Sequence, residues 1–297
     1  MRISSNTVSD GIVRQIQQLN AQQAKLQNQV GTGLRISQPE DDPAAVGRVL
    51  NLESERRQLV QFGSNASRAL ELAQASSSGL QGLKKISDRA GELGTLGTGA
   101  LSASAMQAYA TEAGQLIEAA VQSANTRFNG DYIYAGSAVN AAPFTVQRTG
   151  GQVTSVAYAG DNAQPTIPLS ETASVTASTD GATNQNFASF ITGLIALRDA
   201  LNSGVAANVV AAQPALATSE DQIVSAIADN GGVQTRIEAS KSQQADRTTS
   251  LDSLISSETD ADLPSTIVKL KQTETAYQAA LQSAANIMHL SLLDYMK

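Results

Sequence analysis

The sequence predicts a mainly α-helical protein with a β insertion: a long antiparallel α-helical coiled-coil bundle from both chain ends, with a small β-rich outer domain. Helices are predicted because apolar residues recur at alternating intervals of three and four near both ends of the 297-residue chain. A thin bundle is predicted because aromatic residues make up only 4% of the chain and tryptophan is absent, whereas thick cores depend on large side chains. A stretch rich in Thr, Val and Gly in the middle of the chain predicts the β insertion.

The first predicted helix covers about residues 8–30. Its apolar stripe consists of Ile12, Ile16, Leu19, Leu26 and Val30, with Gln23 in the remaining position. Gly31 and Gly33 permit a left-handed stop after this helix, and Pro39 forbids its continuation. A break in the chain is therefore expected between the first helix and the next.

A longer second helix is predicted to start at Pro43, because Asp42 can cap it and proline is favoured at the first helical position. Its heptad pattern continues to about Gly91, which at a rise of about 1.5 Å per residue gives a rod of roughly 70 Å. Glycines at 91, 94, 97 and 99 then predict a loop. A third helix is expected over residues 103–128.

The periodicity changes at Asn129-Gly130, where the β region begins. Residues 132–134 are predicted to form a strand, and residues 145–149 and 152–158 are predicted to pair across the two-residue turn Gly150-Gly151. Extended chain is expected to continue to about residue 183. Together these segments predict a small β domain.

Helical spacing returns over residues 187–201 and again from about residue 205. The sequence leaves open whether a helix ends at Gly231-Gly232 or continues through them. Residues 259–264 predict another break, and a last helix is expected from Ser265 to the end of the chain. Its stripe consists of Ile267, Leu270, Tyr277, Leu281, Ala284, Met288 and Tyr295, with Glu274 in one position.

The matching stripes at the two ends predict that the first and last helices pair side by side in opposite directions. The final segment, residues 287–296, is apolar nearly all round, and a two-helix pair cannot cover every side of such a helix. Contacts with neighbouring copies are therefore expected. The predicted assembly-interface residues are Ile12, Ile16, Leu19, Leu26, Val30, Tyr277, Leu281, Met288, Leu290, Leu292, Leu293 and Tyr295.

Three regions are predicted from these breaks. Residues 1–42 and 264–297 form a terminal helical inner domain, residues 43–129 and 186–263 form a helical rod, and residues 130–185 form the β-rich outer domain.

No catalytic, cofactor or metal site is predicted. The chain has no cysteine, and its one histidine, His289, has no identifiable partner for a metal site or a catalytic triad. Asp41 and Asp42 could form a paired-carboxylate site, but a helix cap before Pro43 is the favoured interpretation. The net charge of −7 does not favour binding to nucleic acid or anionic lipid, both of which attract basic proteins. The absence of an apolar run of about 18 residues predicts no membrane-spanning helix.

Several segments resemble the flagellin superfamily. They are the start MRIS, TGLRISQPEDDPAA (residues 32–45), NGDYIYAGSAVNAAPF (residues 129–144) and TAYQAALQSAANIMHLSLLDYMK (residues 275–297). Within the superfamily the chain looks most like the hook–filament junction proteins, because filament flagellins typically carry alanine at the position of Pro43. Asp41, Asp42 and Pro43 thus belong both to the predicted cap and to the family motif.

The resemblance implies a non-enzymatic structural subunit of the bacterial flagellum. It implies export through the flagellar type III apparatus without a cleaved signal, with help from an export chaperone. The expected partners are other copies of the chain in a ring, a neighbouring hook-associated protein and flagellin, with neither nucleic acid nor membrane among them.

Two other functions are compatible with the sequence. A filament flagellin would have the same fold, and a cytoplasmic coiled-coil scaffold would have the same helical periodicity. An enzyme is the least favoured class, because no catalytic constellation is present.

Overall fold

A computed structural model describes residues 2–99 and 102–295, with side chains described for residues 10–99 and 102–286. This part of the chain is mainly helical, with short strands confined to its middle, which confirms the predicted fold class. The helices are α1 (Arg2–Thr32), α2 (Pro43–Gly97), α3 (Ala103–Ala124), α4 (Gly181–Asn202), α5 (Ala206–Thr259) and α6 (Leu263–Tyr295). The strands are β1 (Arg127–Phe128), β2 (Asp131–Tyr132), β3 (Phe144–Thr149), β4 (Gln152–Tyr158), β5 (Thr166–Pro168) and β6 (Ser174–Thr176).

The strands pair as three antiparallel two-stranded sheets: β1 with β2, β3 with β4, and β5 with β6. The first two are hairpins with two-residue turns, at Asn129-Gly130 and at the predicted Gly150-Gly151. All four turn residues have positive φ, with values of 52°, 97°, 60° and 82°. Positive φ at both central positions is the type I′ geometry that matches the twist of paired strands, which explains why Asn and Gly occupy these turns.

The predicted strand over residues 132–134 is shorter than expected. β2 ends at Tyr132, and Ile133 and Tyr134 lie in a turn with both side chains buried. These residues are apolar because they enter the helical core, not because they continue the sheet.

The predicted loop at the glycines of residues 91–99 is wrong for most of its length, since α2 continues to Gly97. The reason is close packing. A Cβ atom on Gly97 would lie 2.6 Å from Leu201 Cδ2 in α4 and 3.1 Å from Val209 Cγ1 in α5. Gly97 is thus a helical residue whose missing side chain lets α4 and α5 approach α2 closely.

The question left open at Gly231-Gly232 is resolved in favour of a continuous helix. α5 runs through both glycines and also contains Pro214. A Cβ atom at either glycine would meet nothing within 4 Å, so neither is required by packing. α3, in contrast, ends at Ala124, before the predicted residue 128, and the chain then enters β1.

The chain divides into two compact units, Met1–Gln58 with Arg247–Lys297 (unit 1) and Leu59–Asp246 (unit 2). Unit 2 holds a continuous hydrophobic core to which α2, α3, α4, α5 and the β3–β4 hairpin all contribute. Its largest fully buried side chains include Tyr134, Phe144, Phe187 and Phe190.

Tyr134 connects the turn after β2 to two helices of unit 2. Its hydroxyl donates to the carbonyl oxygen of Ser76 in α2 at 2.8 Å, and its ring meets the Phe187 ring edge-on with centroids 5.5 Å apart. The Tyr134 carbonyl accepts from Asn184 Nδ2 at 3.0 Å and from the Tyr158 hydroxyl at 3.1 Å. Burial raises the pKa of the Tyr134 hydroxyl far above its usual value, so it remains a donor.

Candidate assembly interface

Unit 1 has almost no hydrophobic core of its own. Among its residues with described side chains, the buried hydrophobic ones are Leu26, Ala45 and Leu251, and both hydrophobic clusters of the described chain lie in unit 2. Large apolar residues of α2 and α5 are instead exposed, with Leu50 at 57% and Leu254 at 46%. The described part of unit 1 therefore exposes large apolar side chains to solvent.

The two terminal helices of unit 1 pack against each other. A short antiparallel bridge links Leu34, just after α1, to Asp260, just before α6. Next to it, Arg35 N donates to the Thr259 carbonyl at 2.6 Å and Ala261 N donates to the Gly33 carbonyl at 2.8 Å. Because the end of α1 meets the start of α6, the two helices run in opposite directions.

On α1 the apolar stripe lies on the less exposed side of the helix. Leu26 is buried, and Ile12, Ile16, Leu19 and Val30 are half-buried. The spacing of four and three residues is that of a coiled-coil seam.

On α6 the seam is displaced by one residue from part of the predicted stripe. The least exposed positions with seam spacing are Thr266, Leu270, Thr273, Tyr277, Ala280 and Ala284. Each of the two threonines donates its hydroxyl to a carbonyl one turn earlier, Thr266 to Asp262 at 2.8 Å and Thr273 to Lys269 at 2.9 Å. Because the hydroxyl already has a hydrogen-bond partner in its own helix, the methyl group of each threonine can pack in the seam. A search of the sequence for apolar residues does not select threonine, so it misses these two positions.

This displacement leaves separate apolar residues exposed along one side of α6. We call Leu263, Ile267 and Leu281 the exposed strip, with exposures of 40%, 45% and 43%. The three residues are separated by four and by fourteen positions, which places them on one side of an α-helix. Ile267 and Leu281 were predicted to lie in the stripe of the last helix, and the structure places both outside the α1–α6 seam.

The remaining predicted interface residues, Met288, Leu290, Leu292, Leu293 and Tyr295, lie outside the residues whose side chains are described, as does His289. The backbone of α6 continues through them to Tyr295.

Asp41 and Asp42 make separate local contacts before α2. Asp42 Oδ1 accepts from Ala45 N at 3.0 Å, which places Asp42 at the cap of the helix that Pro43 begins. Asp41 instead holds the preceding turn, accepting from Ser37 N at 3.0 Å and pairing with Lys25 Nζ at 2.7 Å. Both carboxylates thus have structural partners.

Three ion pairs link α2 to α5 in unit 1. Arg48 binds the Glu258 carboxylate with two hydrogen bonds of 2.9 and 2.8 Å. Further pairs join Arg56 to Asp252 at 3.1 Å and Arg247 to Glu55 at 2.7 Å. Sequence reasoning missed these residues because Arg48 and Glu258 are 210 positions apart, so no local spacing connects them.

Asp41 and Glu258, at this end of unit 1, have lowered pKa values. The hydrogen bond from Lys25, followed by those from the Ser37 and Gln38 amides, holds the pKa of Asp41 far below its usual range. The Arg48 guanidinium likewise lowers the pKa of Glu258. Since the lowered values belong to the folded state, the stability these groups contribute is present above their ordinary pKa values and is lost as the pH falls through the lowered ones.

We expect the Ser37 and Gln38 amide protons to report this directly, since both donate to Asp41 Oδ2. In an NMR pH titration their shifts should change at a midpoint below 3.8, the ordinary value for Asp41. Lys25→Gln should move the midpoint upward, whereas Lys269→Gln on α6 should not. A midpoint at the ordinary value in the unmodified protein would contradict the contact.

Within the residues that the structure describes, no group of three or more His, Cys, Asp or Glu could hold a metal ion. None of the helices described is long and apolar enough to cross a membrane.

Residues 3–139 match the family model of the bacterial flagellin N-terminal helical region. The match covers α1, α2, α3 and the β1–β2 hairpin, and thus includes the motifs around Pro43 and Asn129.

A relative and two solved structures agree with this match. Flagellar hook-associated protein 3 of Salmonella typhimurium is 31% identical over 153 residues, which cover 51% of this chain and 48% of that protein, so the chain spans about half the length of this relative. A Vibrio parahaemolyticus protein assigned as a flagellar hook-associated protein superposes with a TM-score of 0.65 at 16% identity, covering 74% of this chain and 100% of that one. Bacillus cereus FlgL superposes with a TM-score of 0.61 at 18% identity, covering 69% of this chain and 99% of that one.

At these identities the solved structures establish the fold alone. Residues 3–139 are thus similar to the bacterial flagellin N-terminal helical region, and 153 residues of the chain are similar to flagellar hook-associated protein 3.

Proposed function

We propose that this chain is a secreted structural subunit of the bacterial flagellum, located at the junction between the hook-associated proteins and the flagellin filament. It has no catalytic role and assembles through its terminal helices. The observation that carries this proposal is the paired α1 and α6 of unit 1, which leave the exposed strip uncovered.

The energetics of unit 1 support assembly through this pair. Within residues 10–32 and 263–286, Leu26 and two threonines are the buried residues. Fully burying one leucine contributes about 1.5–3 kcal/mol, whereas ordering one residue costs about 1–2 kcal/mol. The pair thus gains little from its own contacts, and covering its exposed apolar residues with neighbouring copies would supply the missing burial.

The partners proposed are other copies of the chain in a ring, a neighbouring hook-associated protein on one side and flagellin on the other. The Salmonella relative supports this placement, because its name assigns it to the hook-associated proteins. We further propose that an export chaperone binds the C-terminal amphipathic region, and that the type III export apparatus secretes the chain.

A filament flagellin would share the fold, and self-assembly separates the two functions. We expect the purified chain, concentrated under conditions in which a flagellin control polymerises, to form no long filaments alone, because a junction subunit needs its neighbours on both sides. Electron microscopy and sedimentation provide the measurement. Long filaments grown from the chain alone would assign it to the filament.

A further inference from the structure

A cleft in unit 2 is not accounted for by assembly through the terminal helices. It has a volume of about 370 Å³ and lies between α2, the β1–β2 hairpin and β5. Sites for small ligands range from roughly 300 to 1,000 Å³ and combine apolar walls with a few polar groups. The volume of the cleft falls within this range, and its lining likewise combines apolar and polar residues.

The walls offer aromatic surface and two opposite charges. Phe128 and Tyr132 are half-buried and line the cleft. The Arg127 guanidinium lies 4.2 Å from the centre of the Tyr132 ring, and Arg127 is not among the residues that line the cleft. Arg68 and Asp131 also line the cleft, and neither forms an ion pair with a residue the structure describes.

This combination disfavours simple ions and purely apolar molecules. An anion attracted to Arg68 would be repelled by Asp131, and a cation attracted to Asp131 would be repelled by Arg68. A purely apolar molecule would remove both charges from water without replacing their hydrogen bonds, which is costly. A neutral ligand with hydrogen-bond donors, acceptors and an apolar face can bond to both Asp131 and Arg68 and also pack on the aromatic residues.

An extended peptide is also neutral and carries donors and acceptors, but the nearby strand is poorly suited to pair with one. β5 ends at Pro168 and is preceded at a short distance by Pro165, and neither proline has a backbone N–H to donate. Addition of a strand to a sheet edge depends on main-chain hydrogen bonds. Pairing at this edge is therefore disfavoured.

We propose that the cleft binds the pyranose ring of a saccharide. The C–H face of the ring would lie on Phe128 and Tyr132, and its hydroxyl groups would accept from Arg68 and donate to Asp131. Hydroxyl groups can do both at once. The site is independent of the proposed assembly role and would stand if that role were wrong.

The test is an NMR titration of the full-length protein with four probes: the methyl glycosides of glucose, galactose, mannose and N-acetylglucosamine. We expect at least one to shift the amides of residues 128–133 at millimolar concentration. Arg68→Gln and Asp131→Asn should each weaken this binding about tenfold, which is the typical effect of losing a hydrogen bond to a charged group. Arg14→Gln, a matched change on α1, should leave it unaltered.

Three results would overturn the site. One is the absence of cleft-confined shifts with all four glycosides. The second is binding that persists at full strength in both cleft variants. The third is shifts at the same amides with inorganic phosphate but with none of the glycosides, which would make it an anion site. Unchanged spectra outside the cleft show that both variants fold.

Discussion

Replacing Ile267 and Leu281 together with aspartate should prevent the chain from entering flagella while leaving the monomer folded. Both side chains are more than 40% exposed in the monomer, so the change costs its fold little. If the exposed strip is covered by a neighbouring copy, each aspartate would be buried there without a partner. An uncompensated buried charge costs about 3 kcal/mol or more, which is over a hundredfold in affinity.

The measurement is the amount of variant protein in sheared flagella, with secretion into the medium as a check that export still works. The matched control is Gln272→Asp with Ser283→Asp. It adds the same two charges at exposed positions on another side of α6. Normal incorporation of the Ile267 and Leu281 variant would show that the exposed strip is not an interface.

In unit 2 the largest effect is expected from Tyr134→Ala, which should lower the free energy of unfolding by about 3–5 kcal/mol, the usual cost of truncating a large buried aromatic residue. Tyr134 is fully buried, bonds to Ser76 and packs on Phe187. Urea denaturation followed by circular dichroism gives the value.

The conservative variant Tyr134→Phe keeps the ring and removes only the hydroxyl. It should cost about 1–2 kcal/mol, because the carbonyl of Ser76 loses its tyrosine donor. The difference between the two variants separates packing from hydrogen bonding. A loss below about 1 kcal/mol for Tyr134→Ala would show that the motif around residue 134 does not hold α2 and α4 together.

The helices at the chain ends could be predicted from the sequence because their signals are local. The stripe on α1 from Ile12 to Val30 is the side turned away from solvent, and Asp42-Pro43 marks the start of α2. The turn at Gly150-Gly151 was likewise predictable, because only a few residues tolerate positive φ at both central positions.

The errors arose where a residue serves a distant contact. Gly97 resembles a loop residue in sequence but permits the approach of Leu201, and threonines at 266 and 273 fill seam positions that an apolar pattern assigns to their neighbours. The role of Glu258 cannot be predicted from its local sequence, because its partner Arg48 is 210 positions away. These contacts depend on which helices meet, and a periodicity in one helix does not contain that information.

The position of the protein along isolated flagella tests the proposed function most directly. Immunogold labelling of flagella that retain their hooks would locate it, with flagellin antibody as the reference for the filament. Assembly at the junction predicts a single band of label between hook and filament. Label along the whole filament, or no label on flagella that contain all their other parts, would contradict the proposal.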